Sequence, residues 1–366
     1  MERRRGWGIL GTGKIARIIA WALHDSPGGT LAAVASRSAG RAAEFASAYG
    51  PANHYAGYAP LLGDPDVEIV YVATHHPTHL EWAVAAAEAG KHVLCEKPLA
   101  VTAEGAAQII TAAQRSGVFL MEAFAYRCHP QTSQLARLLQ NGDIGEVRMI
   151  DAAFGYDAGP EPGNYLMVRS LAGGSILDVG CYATSMAHLI AGTAFDTAPA
   201  TGPDVAGAAH IGPTTGVDHY AAAVLTFPGG LMARVASAIQ VNLDSTLRVY
   251  GSTGTITVPS PWLPGRNGAP SLIVVEPAGS SPREIHIDSG DDLYALEVEA
   301  VNRLVAEGHQ SHPLMGWAES LANMSTLDKW RQCAGLDYQI TKDQPHPGTP
   351  AARPAASQAG TRAEAS

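Results

Sequence analysis

Glu96-Lys97-Pro98 follows an apolar run at residues 92–95. If that run is a parallel strand, Lys97 lies at its carboxyl end, where open α/β sheets bind ligands. A lysine there can place positive charge beside a reacting oxygen. It would stabilise a developing alkoxide or depress the pKa of a neighbouring acid. An exposed loop lysine before a helix-starting proline accounts for the same residues about equally well. A second stretch, Gly173-Gly174-Ser175-Ile176-Leu177-Asp178-Val179-Gly180-Cys181-Tyr182, holds a carboxylate and a phenol four positions apart. On a helix beginning near Asp178 the two share a face and suit proton transfer. Taken alone, an Asp favoured by the helix dipole and a Tyr in the core explain that pair better.

The third stretch has the most context. Gly11, Gly13 and Ala16 form a G-x-G-x-x-A pattern between an apolar run at 7–10 and a helical pattern at 15–23. Gly11 allows a tight turn, Gly13 lets the backbone approach a pyrophosphate, and Ala16 lets helix and strand pack closely. The helix N-terminus offers free N–H groups to the phosphates. The second strand pattern ends in Ala35-Ser36-Arg37-Ser38, with Arg41 following. An NAD site usually places a carboxylate there for the ribose 2′-hydroxyl. A small hydroxyl and two arginines suit a 2′-phosphate instead, so the stretch predicts an NADP site, with NAD as the alternative.

His75 and His79 are four apart, but Pro77 between them opposes a shared helix, and no metal site is expected. These residues read as the loop after a strand at 68–73, touching the cofactor or its neighbours. The expected cofactor contacts are Gly11, Thr12, Gly13, Lys14 and Ile15, then Ser36, Arg37 and Arg41, then Thr74, His76 and His79, and finally Glu96 and Lys97.

Strand patterns at 7–10, 31–35, 68–73, 92–95 and 119–122 alternate with helical patterns at 15–23, 41–49, 78–89 and 102–116. The alternation predicts an α/β fold, a parallel Rossmann sheet covered on both faces. After about residue 145 one strand, a helix from about 178 to 190 and several further strands predict an α+β domain. Its sheet would be large, open and mostly antiparallel. The expected division is 1–123 for dinucleotide binding and 124–335 for substrate and dimerisation. Two final helices, 293–307 and 317–332, close the globular part and can pack back on the first domain. Residues 342–366, rich in Pro, Ala, Gly and Ser, are expected to be a disordered tail.

The chain has 366 residues, 46% hydrophobic and 16% charged, enough for two cores. A net charge of -10 argues against nucleic acid or an anionic membrane as partner. No apolar run reaches the roughly 18 residues of a membrane helix, and the basic start at Met1–Arg5 leads into a strand, not a signal-peptide core. Cys95, Cys128, Cys181 and Cys333 are scattered and read as reduced thiols of a cytoplasmic protein.

Taken together, Gly11-x-Gly13-x-x-Ala16, the run Ala89-Gly90-Lys91-His92-Val93-Leu94-Cys95-Glu96-Lys97-Pro98-Leu99 and the Gly-rich segment ending at Tyr182 resemble the Gfo/Idh/MocA oxidoreductase family. The resemblance extends over roughly residues 6 to 335. It is nearest to the dimeric dihydrodiol dehydrogenase and NADP-dependent D-xylose dehydrogenase branch, through Thr74–His79, Met121-Glu122-Ala123-Phe124 and 173–182. It implies hydride transfer between a nicotinamide and an alcohol or carbonyl carbon of a sugar, polyol or cyclic diol. It also implies a homodimer, or a dimer of dimers, paired through the second domain's sheet. Lys97 and Asp178 match the family's catalytic positions, and Tyr182 stands where many relatives carry His as acid/base. The chain departs from the dihydrodiol enzymes at Ala125, where they carry a tryptophan, so an aromatic diol is not implied. Tyr126, Arg127, Phe154 and Tyr165 are the candidate substrate residues. An NAD-dependent inositol or glycoside dehydrogenase and a non-catalytic NADP-binding sensor remain the alternatives.

An unperturbed phenol, with pKa ~10, is a poor base near neutrality. Lys97 is therefore expected to lower the Tyr182 pKa from across the crevice, with Asp178 positioning groups and taking no part in proton transfer.

Overall fold

The computed structural model describes residues 4–159, 163–195, 202–266 and 269–338. Six strands form the first sheet: β1 (Arg5–Leu10), β2 (Gly29–Ser36), β3 (Asn53–Ala56), β4 (Ile69–Val72), β5 (His92–Cys95) and β6 (Leu120–Glu122). Their order is β3-β2-β1-β4-β5-β6 and every pairing is parallel. This is the doubly wound dinucleotide-binding order. All four residues of β4 are buried, as a strand covered on both faces requires. The covering helices are α1 (Lys14–Asp25), α2 (Ala39–Tyr49), the single turn α3 (Ala59–Leu62), α4 (His79–Glu88) and α5 (Ala103–Ser116).

Helix α6 (Pro130–Gln140) leads into the second sheet. That sheet comprises β7 (Val147–Gly155), β8 (Asp204–Ile211), β9 (Asp218–Thr226), β10 (Met232–Ala238), β11 (Leu247–Gly251), β12 (Gly254–Val258), β13 (Ser271–Pro277) and β14 (Arg283–Ile287). Their order is β14-β13-β12-β11-β7-β10-β9-β8, antiparallel except for the parallel pair β7 and β10. Helix α7 (Cys181–Phe195) covers one face and is buried along most of its length. On the other face Met149, Tyr220, Val224 and Met232 are exposed.

Helices α8 (Leu293–Ala306) and α9 (Trp317–Cys333) tie the two sheets together. Val298, Val301 and Leu304 pack with Trp7, Ile9 and Ile19, and the Trp7 indole donates to Asn302 Oδ1 at 2.9 Å. The Trp317 indole donates to the Leu120 carbonyl at 3.0 Å, and α9 packs on α5 and α7. A cleft borders both sheets.

Four elements, β3, α3, α6 and β8, lie where no element was expected. The helix expected from about residue 178 differs too: residues Ile176–Gly180 form a π-helical turn and α7 begins at Cys181. The tail at 342–366 lies outside the described residues. Among the described residues, no helix is long and apolar enough to cross a membrane. All four cysteines are free.

Candidate active site

The cleft measures about 1980 Å³. Single small-ligand pockets run to roughly 1,000 Å³, so this one has room for a dinucleotide and a second reactant. Gly11 to Ile15, Ser36, Arg37, Arg41, Thr74, His76, Glu96 and Lys97 line it. Gly11 has φ +117°, and a Cβ there would lie 2.3 Å from the Ala73 carbonyl oxygen, so only glycine fits the turn. A Cβ on Gly13 would meet nothing within 4 Å, so the chain leaves open space at the start of α1. Gly13 caps that helix without a side-chain bond, leaving its first N–H groups for a ligand. Arg37 is close enough to Tyr58 to work against the rise that burial gives its phenol. These features fit a nicotinamide dinucleotide. His79 is not at the cleft. It is fully buried, and its ring nitrogens meet the Pro98 and Thr74 carbonyls at 2.9 and 3.1 Å. Pro77 lies in a 3-10 turn, His76–Thr78, and α4 starts only at His79. Burial pulls His79 down to about 4, while burial, His79 and Lys97 pull His76 down to about 3, so both rings are neutral at pH 7. Among the described residues, no group of three or more His, Cys, Asp or Glu is placed to hold a metal.

Lys97 leaves the end of β5 and its ammonium donates to the Asp178 main-chain carbonyl at 2.7 Å and to Oδ1 at 3.4 Å. It stands 5.0 Å from the centroid of the Tyr182 ring. Burial opposes the ammonium charge, but Asp178, Tyr182, Cys181 and Tyr165 favour it, and Lys97 titrates well above an ordinary lysine. Asp178 is held by the π-helical turn. Asp218 accepts from the Ile176 N–H at 2.6 Å and from Ser175 Oγ at 2.8 Å, fixing the start of that turn. Gly174, with φ +108°, has no room for a side chain beside Asp218. A π-turn at this point is a frequent mark of a functional site. Tyr156 donates to Asp178 Oδ2 at 2.7 Å, and Tyr165 lies 3.5 Å from Oδ1.

Tyr182 lines the cleft with its ring boxed by Phe124 and Phe154, each at 5.2 Å, Tyr126 at 5.9 Å and Trp262 at 6.1 Å. Burial raises its phenol well above the ordinary value, and Lys97 opposes that rise without overcoming it. The lowered pKa expected from Lys97 is therefore overturned. An aromatic box penalises the phenolate more than one cation, already shared with Asp178, stabilises it. The resting state is the phenol.

Of the candidate substrate residues, only Tyr165 lines the cleft. Phe154 packs behind Tyr182 and stacks on Trp262 at 5.8 Å. Tyr126 and Arg127 are buried, and both bind Ser185 on α7: Tyr126 Oη donates to Ser185 Oγ at 2.9 Å and Arg127 donates to the Ser185 carbonyl at 2.6 Å. They brace the helix that carries Tyr182 from behind. Tyr156, Tyr294 and Asp292 also line the cleft, and none of them belongs to a sequence motif.

A Rossmann dinucleotide cleft with a lysine, a carboxylate and a tyrosine beside it defines an oxidoreductase of the NAD(P) type. The family model described as "Oxidoreductase family, NAD-binding Rossmann fold" matches residues 5–124, and that for the "GFO/IDH/MocA C-terminal domain" matches residues 132–257. The chain belongs to the Gfo/Idh/MocA family. It is 33% identical to a D-xylose 1-dehydrogenase (NADP(+)) of Haloferax volcanii, over 92% of this chain and 99% of the relative. It is 32% identical to a trans-1,2-dihydrobenzene-1,2-diol dehydrogenase of Danio rerio, over 91% and 97%. A 3-ketoreductase from Actinomadura kijaniata, solved with NADP and TDP-benzene, superposes with a TM-score of 0.80 at 28% identity, covering 91% of this chain and 98% of that one. The protein is an NAD(P)-dependent sugar or diol oxidoreductase acting on CH–OH groups.

Proposed function

We propose that the protein is an NADP-dependent dehydrogenase that interconverts an alcohol and a carbonyl on a sugar, polyol or cyclic diol. The carrying observation is that Lys97, held by Asp178, meets the Tyr182 ring in the same cleft that Arg37 and Arg41 line. β2 and β5 are three strand spacings apart in the first sheet, roughly 14 Å at ~4.8 Å each. That separation suits a 2′-phosphate at Arg37 and a reacting ring near Lys97. The relatives named for NADP support the cofactor.

The nicotinamide group, when bound, would supply the hydride acceptor or donor for the substrate carbon. Gly11 to Ile15 and the start of α1 would hold its pyrophosphate, and Ser36, Arg37 and Arg41 its 2′-phosphate. The chain's own residues handle the proton. Reducing a carbonyl requires a proton at the new hydroxyl oxygen, and the Tyr182 phenol donates it. Lys97 stabilises the phenolate left behind, and in the oxidative direction that phenolate takes the hydroxyl proton. Asp178 keeps the Lys97 ammonium beside Tyr182. Tyr165 borders the substrate space. Two copies pair through the open face of the second sheet.

A panel of sugars, polyols and diols, followed by NADPH absorbance with NAD in parallel, tests this reading. At least one CH–OH compound should turn over, and faster with NADP. Tight cofactor binding without turnover across the panel would favour a non-catalytic sensor.

A further inference from the structure

Asp178 faces Lys97 with only one of its two carboxylate oxygens. Oδ1 lies 3.4 Å from the ammonium and 3.5 Å from the Tyr165 hydroxyl. Oδ2 takes a 2.7 Å bond from Tyr156 Oη, the shortest side-chain contact to this carboxylate. Tyr156 is itself fixed: its N–H donates to the Ala238 carbonyl at 3.1 Å, which seats the residue on the second sheet just beyond β7. The carboxylate is thus pinned between two parts of the fold, with the Rossmann lysine on one oxygen and the substrate-side sheet on the other.

We propose that Tyr156 is a positioning residue for the reaction, acting through Asp178 to set where the Lys97 ammonium stands relative to Tyr182. The proposal rests on the roles given above to Lys97, Asp178 and Tyr182. A bond to Oδ2 fixes the rotation of the carboxylate and takes up part of its charge, so the Lys97 ammonium remains shared with Tyr182. Burial and the Asp178 charge keep Tyr156 a phenol, so it donates at every working pH. The other titratable groups around Asp178 and Tyr182 are His76, which is neutral at pH 7, Glu96, whose carboxyl accepts from Tyr71 on β4, the Cys181 thiol, which donates to the Asp178 carbonyl at 3.4 Å and is kept protonated by burial, and the Tyr294 phenol. Without the Tyr156 bond, Asp178 draws Lys97 more strongly and leaves Tyr182 less cationic support.

The test uses the full chain with NADP and D-xylose, or the first substrate returned by the panel. Tyr156→Phe should lower kcat about 10-fold, leave KM within about twofold, and move the pH-rate limb that depends on Tyr182 to higher pH. Combined with Asp178→Asn, it should add no further loss, because the two residues act as one unit. Losses that multiply in the double variant, a change confined to KM, or an unmoved pH limb would overturn the proposal. Full turnover in Asp178→Asn alone would instead count against the assigned role of Asp178.

Discussion

The Lys97 ammonium stands 5.0 Å from the centre of the Tyr182 ring, although one residue leaves the Rossmann sheet and the other lies in the first turn of α7 beneath the second sheet. The reaction as proposed depends on that juxtaposition. It is maintained by α8 and α9, which bind the two sheets into one body, and by Asp178, which bonds to the lysine from the turn preceding Tyr182.

Cofactor choice is tested at Arg37. Replacing Arg37 by Ala removes a guanidinium from the part of the cleft suited to a 2′-phosphate. NADP binding should weaken by about 1.5–3 kcal/mol, the scale of a charge-assisted hydrogen bond, with NAD binding little changed. Calorimetric titration of both cofactors measures this, and equal losses for the two would contradict the NADP assignment.

Glu122 gives a pH-dependent stability prediction. Its carboxyl is buried and accepts the Leu99 N–H at 2.8 Å. Burial lifts its pKa from 4.5 to about 7, against opposing hydrogen bonds and the cations Arg127 and Lys97. The folded chain then holds a proton that the unfolded chain has already lost. Stability from this group is complete below pH ~4.5 and declines as pH rises through 7. Glu122→Gln keeps the acceptor without the charge. Relative to wild type it should gain up to about 3 kcal/mol between pH 5 and pH 8, at about 1.4 kcal/mol per pH unit. Urea denaturation at the two pH values checks this; an equal difference at both would refute it.

Assembly is tested on the open face of the second sheet. Met232 pairs with Met149 on one side and Thr226 on the other, and Tyr220 and Val224 continue the apolar surface along β9. Covering this face with a second copy predicts a dimer or larger homo-oligomer by light scattering at micromolar concentration. Val224→Glu should shift it toward monomer. A monomeric wild type would contradict the assembly.

The Rossmann half was legible because its strands are short, apolar and buried on both faces, as in Ile69–Val72, with helical patterns between them. Asn53–Ala56 was not, because an edge strand that alternates half-buried and exposed residues carries little apolar signal. Helix α6 hid its start behind a histidine cap: His129 Nδ1, not a hydroxyl or carboxylate, accepts the Gln131 N–H at 3.0 Å. Strand β8, rich in Ala and Gly, has weak strand propensity and is defined by its pairing with β9. The residue types of the proposed reaction, a lysine, a carboxylate and a phenol, stand in the sequence as Lys97, Asp178 and Tyr182. The π-turn that sets Asp178 against Tyr182, the inward turn of Arg127 and the aromatic box that raises the Tyr182 phenol depend on packing across distant segments.

The most direct measurement is turnover of Tyr182→Phe, with cofactor affinity determined on the same preparation. Removing the hydroxyl leaves the ring to fill its box of Phe124, Phe154, Tyr126 and Trp262, so the fold should survive. Losing general acid–base catalysis should lower kcat by about 10²-fold or more, while NADP affinity stays within about twofold of wild type. Near-normal turnover in Tyr182→Phe would contradict the account and shift the proton transfer to another group in the cleft.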